Sequence, residues 1–471
     1  MINTCFRGFY GGISPDKRLD RRMEIIATDL VLSGTATVNK AVQDHASKIA
    51  FYRTLKNKRI DYIDILSGSF RKCAGNIDLN HVLCIQDTTE LNFDHISNKL
   101  GKDDPDIGPT TNKKIAGLFC HPVLVCDPSG SQIYGLGSAS IYNRKWDNQD
   151  KYERGYQKLS IEEKESYRWI ENAQNTRDLI SNDVTITVVG DRESDIYEEF
   201  VRIPNNNTRI LVRSRSDRRI EGSTKKLYKK LQEQSLAGTF ELKLSANAKR
   251  NKRTALIEIR HCEVEILAPA LYKGSSKKIR LYAVEAKEVN LDLTKDQSPI
   301  LWRLLTTHKI ENITQAQQCI DWYKQRWLIE ELFRVLKTKG FQIESSQLGT
   351  GASIKKLIAF TLEAALQVMR LKLALGEQNT TKAKQVFSDK QLVFMSMLLQ
   401  KVEGKTVKQQ NPHHEQTLGW ASWIIARLGK WSGYSSHGPP GYITIKNGYE
   451  NFNQQYQVFE MLYKPKNVYK D

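Results

Sequence analysis

Two short runs of branched apolar residues, each ending in an aspartate, constrain most strongly how this chain folds. The first is HVLCIQD, which ends at Asp87, and the second is VTITVVGD, which ends at Asp191. Such runs predict buried strands. Further strand patterns are GLFCHPVLVCDP, SQIYGLGSASIYN and TRILVRS, and helical spacing is found at 151–181 and in IYEEFVRI. In chain order these give β-β-β-α-β-α-β, which predicts an α/β fold with a mixed sheet flanked by helices.

The residue pattern changes on both sides of this region. This change and the length of 471 residues predict several domains. Residues 1–75 have helical spacing and carry 13 Lys and Arg against 7 Asp and Glu. Two interpretations of this basic module are equally good: it binds DNA, or it is a solvated helical cap. Residues 215–300 contain short strands between Lys/Arg-rich turns and predict a β insertion with a basic surface. From 375 onward the chain is helical with a Gly/Pro loop.

The charge balance indicates the class of partner. The formal net charge is +18, which favours a polyanion, and nucleic acid is the leading candidate. An acidic membrane surface is the alternative, but no long uncharged apolar run supports it, and the segment LIAFTLEAALQVMRLKLAL predicts a buried helix. The N-terminus lacks the apolar core of a signal peptide, and seven scattered cysteines without CxxC indicate a reducing cytosol. We therefore expect Cys120, His121 and Cys126, which lie among apolar residues, to be buried side chains and not a metal site.

The segment YKQRWLIEELFRVLK predicts one amphipathic helix from Tyr323 to Lys337. At about 100° per residue, Tyr323, Arg326, Glu330 and Lys337 fall on one side of it, beside an apolar stripe. A solvated face with Arg326 and Glu330 as an i, i+4 ion pair is one interpretation. The other is a functional stripe of one carboxylate, two cations and a phenol.

Three acids share a context that favours a metal site. Asp87 and Asp191 end strands and Glu330 lies on the helix, so the three can converge on one point. Carboxylates brought together repel unless cations neutralise them. Without a nearby His or Cys cluster, they fit Mg²⁺ or Mn²⁺, and two such ions about 3.5–4 Å apart promote phosphodiester chemistry. A single acid at a strand end is more often a turn or cap residue. No GxxxxGK[ST] loop is present, so no nucleotide cofactor is expected.

These motifs together resemble the IS-four family of bacterial DDE transposases, which includes the transposon-five transposase. The pattern Y-x2-R-x3-E-x6-K matches at Tyr323, Arg326, Glu330 and Lys337. IQDTTELNF resembles the family's first-Asp segment and VVGDRESDIYEEF its second-Asp segment. WRLLTT, AFYRTLKN and GWASWIIARLGKWSGY also resemble family segments, so that the likeness covers nearly the whole chain.

The resemblance implies a ribonuclease H-like mixed-sheet catalytic core with a β insertion, plus helical N- and C-terminal domains. The boundaries expected are 1–75 for DNA-end binding, 76–374 for catalysis with the insertion at about 215–300, and 375–471 for dimerisation. The activity implied is cut-and-paste transposition through hairpins. The first partner implied is double-stranded DNA, both at the terminal inverted repeats of the element and at the target. The second is another copy of the chain, in a homodimer assembled on DNA. The location implied is the bacterial cytoplasm, at the nucleoid.

The resemblance also implies roles for individual residues. Asp87, Asp191 and Glu330 are expected to be the catalytic metal ligands. DNA contacts are expected at Tyr323, Arg326, Lys337, Arg192, Arg213 and Trp302, with Trp302 stacking on a flipped base. Two alternatives remain open. One is a metal-dependent DNA nuclease without strand transfer, and the other is a non-catalytic DNA-binding derivative.

Overall fold

One large mixed sheet dominates the fold, with helices on both of its faces and at both ends of the chain. The structure is a computed structural model. It describes residues 6, 8–42, 44–100, 103–146, 155–222, 226–244, 253–290, 299–337, 340–376, 381–434 and 437–463.

The N-terminal region is helical, as its spacing predicts. It contains α1 (Lys17–Ser33), α2 (Val38–Ala41), α3 (His45–Lys56) and α4 (Tyr62–Asn76). Asp16, Asp44 and Asp61 precede three of these helices, and each accepts a hydrogen bond from a backbone N–H of the first turn. These bonds satisfy donors that a helix leaves unpaired at its start, which explains why the helices begin where they do.

The first strands of the sheet match the sequence pattern. They are β1 (His81–Gln86), β2 (Thr89–Asn92), β3 (Gly108–Pro109), β4 (Ala116–Cys126), β5 (Ile133–Tyr142), β6 (Thr185–Gly190) and β7 (Thr208–Arg213). The helices between them are α5 (Ser97–Leu100), α6 (Tyr167–Leu179) and α7 (Tyr197–Arg202). β1, β6 and β7 are parallel, and β4 is antiparallel to β1.

The helix predicted at 151–181 is shorter in the structure. Residues 147–154 lie outside the described part of the chain. Gly155 has a left-handed φ of 55°, and a 3₁₀ turn at Tyr156–Lys158 follows it. The backbone is then extended at Leu159, and the α-helix begins at Tyr167.

The β insertion extends the same sheet. It contains α8 (Leu227–Gln232), β8 (Gly238–Leu244), β9 (Arg253–Leu267) and β10 (Lys278–Glu288), and β11 (Leu301–Thr306) follows it. The strand order is β2-β4-β1-β6-β7-β11-β10-β9-β8, with β3 and β5 also paired to β4. β11 is antiparallel to β7 and joins the insertion to the central strands. The strand patterns predicted the insertion but not this pairing.

Helices complete the chain. They are α9 (Ile313–Lys324), α10 (Trp327–Leu336), α11 (Gly351–Leu373), α12 (Asp389–Val402), α13 (Leu418–Leu428) and α14 (Tyr442–Leu462). α11 is buried along nearly its whole length, which confirms the prediction of a buried helix. Its buried Glu363 accepts from Ser69 at 2.6 Å and pairs with Arg370 at 2.9 Å, so the charge is compensated. Within the described residues, no helix is both long and apolar enough to cross a bilayer.

Candidate active site

Asp87 and Asp191 lie side by side at one end of the central strands. Each follows the last residue of its strand, and the parallel pairing of β1 with β6 places Ile85 opposite Val189. Continued by two residues, this register places Asp87 opposite Asp191, and neighbouring strands are about 4.8 Å apart. The pairing of two strands therefore sets the separation of the two aspartates in the backbone.

Glu330 reaches the same place from α10, which packs over β1. Arg326 makes the connection. Its Nη1 lies 3.3 Å from Oδ2 of Asp87, and its Nη2 donates to Oε1 of Glu330. One guanidinium thus holds the first and third acids of the set, although 243 positions separate them in the numbering (330 minus 87).

The electrostatics of Asp87 show how closely the acids are gathered. Burial, together with the negative charges of Asp191 and Glu330, raises the pKa of Asp87 to about 7. The Thr88 N–H, which donates to Oδ1 of Asp87 at 2.8 Å, and the Arg326 charge oppose this rise. The site therefore favours either a proton or an additional cation near Asp87.

The donor set fits a hard divalent cation in its chemistry, since all three groups offer carboxylate oxygens. As the side chains are placed, no three Asp, Glu, His or Cys residues of the described ranges form a ready metal-binding group. Asp87 and Glu330 instead point oxygens at Arg326. Joint coordination by the three acids therefore requires this guanidinium to move aside.

The segment from Tyr323 to Lys337 is two helices, so the prediction of one continuous helix was wrong. α9 ends at Lys324 and α10 begins at Trp327. Between them the Arg326 N–H bonds to the Tyr323 carbonyl at 3.1 Å, which is an i to i−3 bond. The tighter turn changes the phase of the helix. Gln325 and Arg326 keep right-handed helical backbone angles. The turn therefore needs no glycine or proline, and no residue in the sequence marks the break.

Tyr323 is buried at this turn rather than displayed on an exposed stripe. Its side chain is 4% exposed, and its hydroxyl lies against the guanidinium groups of Arg213 and Arg326. Burial raises the pKa of Tyr323, which keeps the phenol protonated. The Trp302 ring meets the Tyr323 ring edge to face at 5.7 Å, and Arg213 donates to the Leu301 carbonyl at 3.0 Å. The structure thus gathers Tyr323, Arg326, Arg213 and Trp302 next to the acids.

Arg192 and Lys337 border the site in different ways. Arg192 is exposed and begins the 3₁₀ turn directly after Asp191, while half-buried Lys337 caps the end of α10. Among the described residues, neither forms an ion pair with a carboxylate. Arg192 therefore lies next to Asp191 in the chain, and Lys337 lies about two helical turns beyond Glu330.

The contacts that hold the loop after Asp191 could not be predicted from the sequence. Asp195 pairs with Arg218 at 2.6 Å and accepts from the Arg215 N–H at 2.7 Å. The loop is thereby tied to the start of the β insertion. The only sequence signal was the second aspartate in DRESD, and its partner could not be found from spacing.

Two family models match the chain. Residues 170–365 match the transposase DDE domain, and residues 15–60 match the transposase DNA-binding domain. The first match contains Asp191 and Glu330 and begins after Asp87.

The fold and these matches define a DNA-binding enzyme that cleaves and joins DNA. More particularly, the chain is a DDE transposase. Its mixed sheet is the ribonuclease H-like core of that class, which confirms the predicted fold class with its β insertion and helical ends.

Proposed function

We propose that this transposase is a cut-and-paste enzyme of the IS-four family, similar to the transposon-five transposase. It would bind the terminal inverted repeats of its element, cleave the DNA there and join the freed ends to target DNA. The proposal is supported by the position of the family-like segments in the fold. The DTT and DRESD segments follow adjacent parallel strands, and the Y-x2-R-x3-E segment lies over them.

The observation that carries the proposal is the joint placement of Asp87, Asp191 and Glu330. We propose that these three carboxylates hold Mg²⁺ or Mn²⁺, as a pair of ions. When bound, such ions supply Lewis-acid activation of the attacking oxygen and stabilisation of the leaving oxygen at a phosphodiester. Arg326, released from Asp87 and Glu330, is then free to bind a phosphate of the element end.

The remaining residues line the expected path of the DNA end. Lys337 and Arg192 would contact phosphates at the edge of the site. Arg213 and Tyr323 would contact the terminal nucleotides next to Arg326. The Trp302 ring would stack on a base extruded from the end, an interaction worth about 1–3 kcal/mol.

The proposed reaction repeats one kind of exchange. Water attacks a phosphorus at the element end, and the P–O3′ bond breaks to free a 3′-hydroxyl. That hydroxyl attacks the opposite strand to form a hairpin, water reopens the hairpin, and the 3′-hydroxyl attacks target DNA. Each attack forms one P–O bond and breaks one, so no nucleotide cofactor is required.

We propose a separate role for each of the three regions of the chain. Residues 1–75 would bind the DNA end, since the matched DNA-binding domain falls within them. Residues 76–374 would carry the chemistry, with the insertion at about 215–300. Residues 375–471 would form the homodimer on DNA, in the bacterial cytoplasm at the nucleoid. Exposed apolar side chains on α12 and α14 support an interface there, namely Val393, Met397, Val458, Met461 and Leu462.

A strand-transfer assay tests the proposal. The substrates are linear DNA fragments carrying the DNA that flanks the gene on each side, where the proposal expects short inverted repeats, with supercoiled plasmid as target. With Mn²⁺ or Mg²⁺, we expect nicked ends, hairpins on denaturing gels and joined plasmid products. Cleavage without joining would favour the nuclease alternative, and binding without any cleavage would favour the non-catalytic derivative.

A further inference from the structure

We propose that the buried imidazole of His121 positions both catalytic aspartates, through a closed set of hydrogen bonds that joins the two loops carrying them. The inference rests on the proposed roles of Asp87 and Asp191. His121 itself touches neither of them. It is a positioning residue on β4, one strand away from the site, and its side chain is fully buried.

His121 holds the two residues that flank Asp87. Its Nδ1 lies 2.8 Å from Oγ1 of Thr88, and its Nε2 lies 3.2 Å from Oε1 of Gln86. Because side chains alternate along an extended chain, Gln86 and Thr88 face one side of the sheet while Asp87 faces the other. The imidazole therefore fixes the backbone of Asp87 from behind, without contact with its carboxylate.

The neighbouring bonds set the direction of every donor in this part of the network. Gln86 Nε2 donates to Oε1 of Glu199 at 3.1 Å, so Gln86 Oε1 is left to accept from the Nε2–H of His121. Arg168 Nε also donates to Oγ1 of Thr88 at 3.0 Å, and with the proton of neutral His121 on Nε2, the Thr88 hydroxyl donates to the unprotonated Nδ1. This pattern requires neutral His121 with its proton on Nε2. Burial and the Arg168 charge lower the pKa of His121 and support this form.

Both ends of the network reach the loop that follows Asp191. Arg168 Nη2 donates to Oε2 of Glu193 at 3.1 Å. At the other end, Ser194 Oγ lies 2.9 and 3.0 Å from the two carboxylate oxygens of Glu199. Glu193 and Ser194 are two and three residues beyond Asp191. The network is thus closed, and a displacement of either aspartate loop must break a buried hydrogen bond.

Other roles for His121 do not fit its surroundings. It lies on the face of the sheet away from Asp87, and its ring packs edge to face on Trp169 at 4.7 Å, so it has no access to DNA. No three metal-ligating side chains gather around it among the described residues. Groups that orient metal ligands typically change metal affinity or activity by about 10–100-fold when removed.

Manganese binding by the full-length chain, without DNA, is the first test. Free Mn²⁺ is followed by electron paramagnetic resonance with wild type, His121→Phe, His121→Gln and Cys126→Ala. The phenylalanine keeps the packing on Trp169 and loses both hydrogen bonds. We expect it to weaken Mn²⁺ binding by about 10-fold or more. The glutamine side chain can still donate to Gln86, and we expect it to restore part of the affinity.

Cys126→Ala is the matched control, since Cys126 is a fully buried residue of the same strand outside the network. We expect it to lower the melting temperature without weakening Mn²⁺ binding. If His121→Phe and Cys126→Ala lose stability alike and both bind Mn²⁺ as wild type does, His121 has only a packing role and the proposal fails.

Hydrogen–deuterium exchange separates this proposal from the proposed function. In His121→Phe, peptides containing Asp87 and peptides containing Asp191 should both exchange faster, while in Cys126→Ala neither should. Faster exchange at Asp87 alone would contradict the closed network. If wild type binds no Mn²⁺, the proposed function fails, and the exchange result still decides whether His121 joins the two loops.

Discussion

Asp87 and Asp191 are the first residues after two parallel strands that pair directly with each other, and they stand at the same level of the sheet. Their backbone separation therefore needs no folding beyond the pairing of β1 with β6. Glu330 is different, because it arrives on α10 and depends on the docking of that helix. The site is thus built from one rigid pair and one docked residue.

Arg326→Ala should destabilise the protein without metal and much less with Mn²⁺. Arg326 is the cation that contacts both Asp87 and Glu330, and its loss leaves the acids to repel each other. A bound divalent ion would replace that neutralisation. We expect the melting temperature of Arg326→Ala to lie below that of wild type without Mn²⁺, and the two melting temperatures to become nearly equal when Mn²⁺ is present. An equal loss in both conditions would contradict the account of this ion pair.

Gly190→Ala should disrupt the loop that carries Asp191. A Cβ at this position would lie 2.3 Å from both Cβ and Oγ of Ser194, so the loop must shift. We expect a stability loss of about 1–3 kcal/mol in urea unfolding and a large loss of DNA cleavage. Gly75→Ala is the control, since nothing lies within 4 Å of its Cβ site in α4, and it should be neutral or slightly stabilising. Normal cleavage by Gly190→Ala would show that the loop tolerates the shift.

Asp29→Asn should stabilise the protein at pH 8 and hardly at pH 4. Burial raises the pKa of Asp29 in α1 from 3.8 to about 7. The folded state therefore binds this proton more tightly than the unfolded state, and stability falls as pH rises from about 4 to 7. Removing the charge should raise the free energy of unfolding at pH 8 by at least about 1 kcal/mol, since each unit of pKa difference corresponds to about 1.4 kcal/mol.

The matched control for this measurement is Asp178→Asn, whose side chain is 69% exposed in α6. It should change the free energy of unfolding by less than about 0.5 kcal/mol at either pH. An Asp29→Asn gain that is the same at pH 4 and pH 8 would rule out the burial of its charge as the cause.

Val458→Glu with Met461→Glu should block assembly of two chains on DNA. Both residues lie on the exposed apolar side of α14, and introduced charges at a buried interface are costly. In native gels with end DNA, we expect the single-chain complex to remain and the paired complex to disappear. Leu271→Glu, an exposed apolar position between β9 and β10, should leave the paired complex intact. A paired complex in both variants would place the interface elsewhere.

Much of the fold could be predicted because its signals are local. The branched runs before Asp87 and Asp191 encode strands whatever their neighbours are, and the amphipathic N-terminal segments encode helices. The pairing of the insertion with β7 through β11 could not be predicted, since it depends on contacts between distant strands. The break at Gln325 and Arg326 was also hidden, because the angles there stay helical.

The candidate site likewise has a part that the sequence predicts and a part that it does not. The acids were recognisable from their motifs, and the structure gathers Asp87, Asp191 and Glu330 around one end of the sheet. Their assignment as metal ligands stays a prediction. The role of His121 was invisible, because a histidine among buried residues of a strand carries no signal of which side chains it will meet.

Cleavage of end DNA by Asp87→Asn, Asp191→Asn and Glu330→Gln tests the central claim most directly, with Asp178→Asn as the control. Each of the three changes replaces a carboxylate oxygen with an amide nitrogen, which removes the negative charge and keeps the shape of the side chain. With Mg²⁺ or Mn²⁺, the account predicts that each lowers the cleavage rate by at least about 100-fold, while gel-shift affinity for the end DNA is kept. Cleavage at the wild-type rate by the variant carrying all three changes would contradict it.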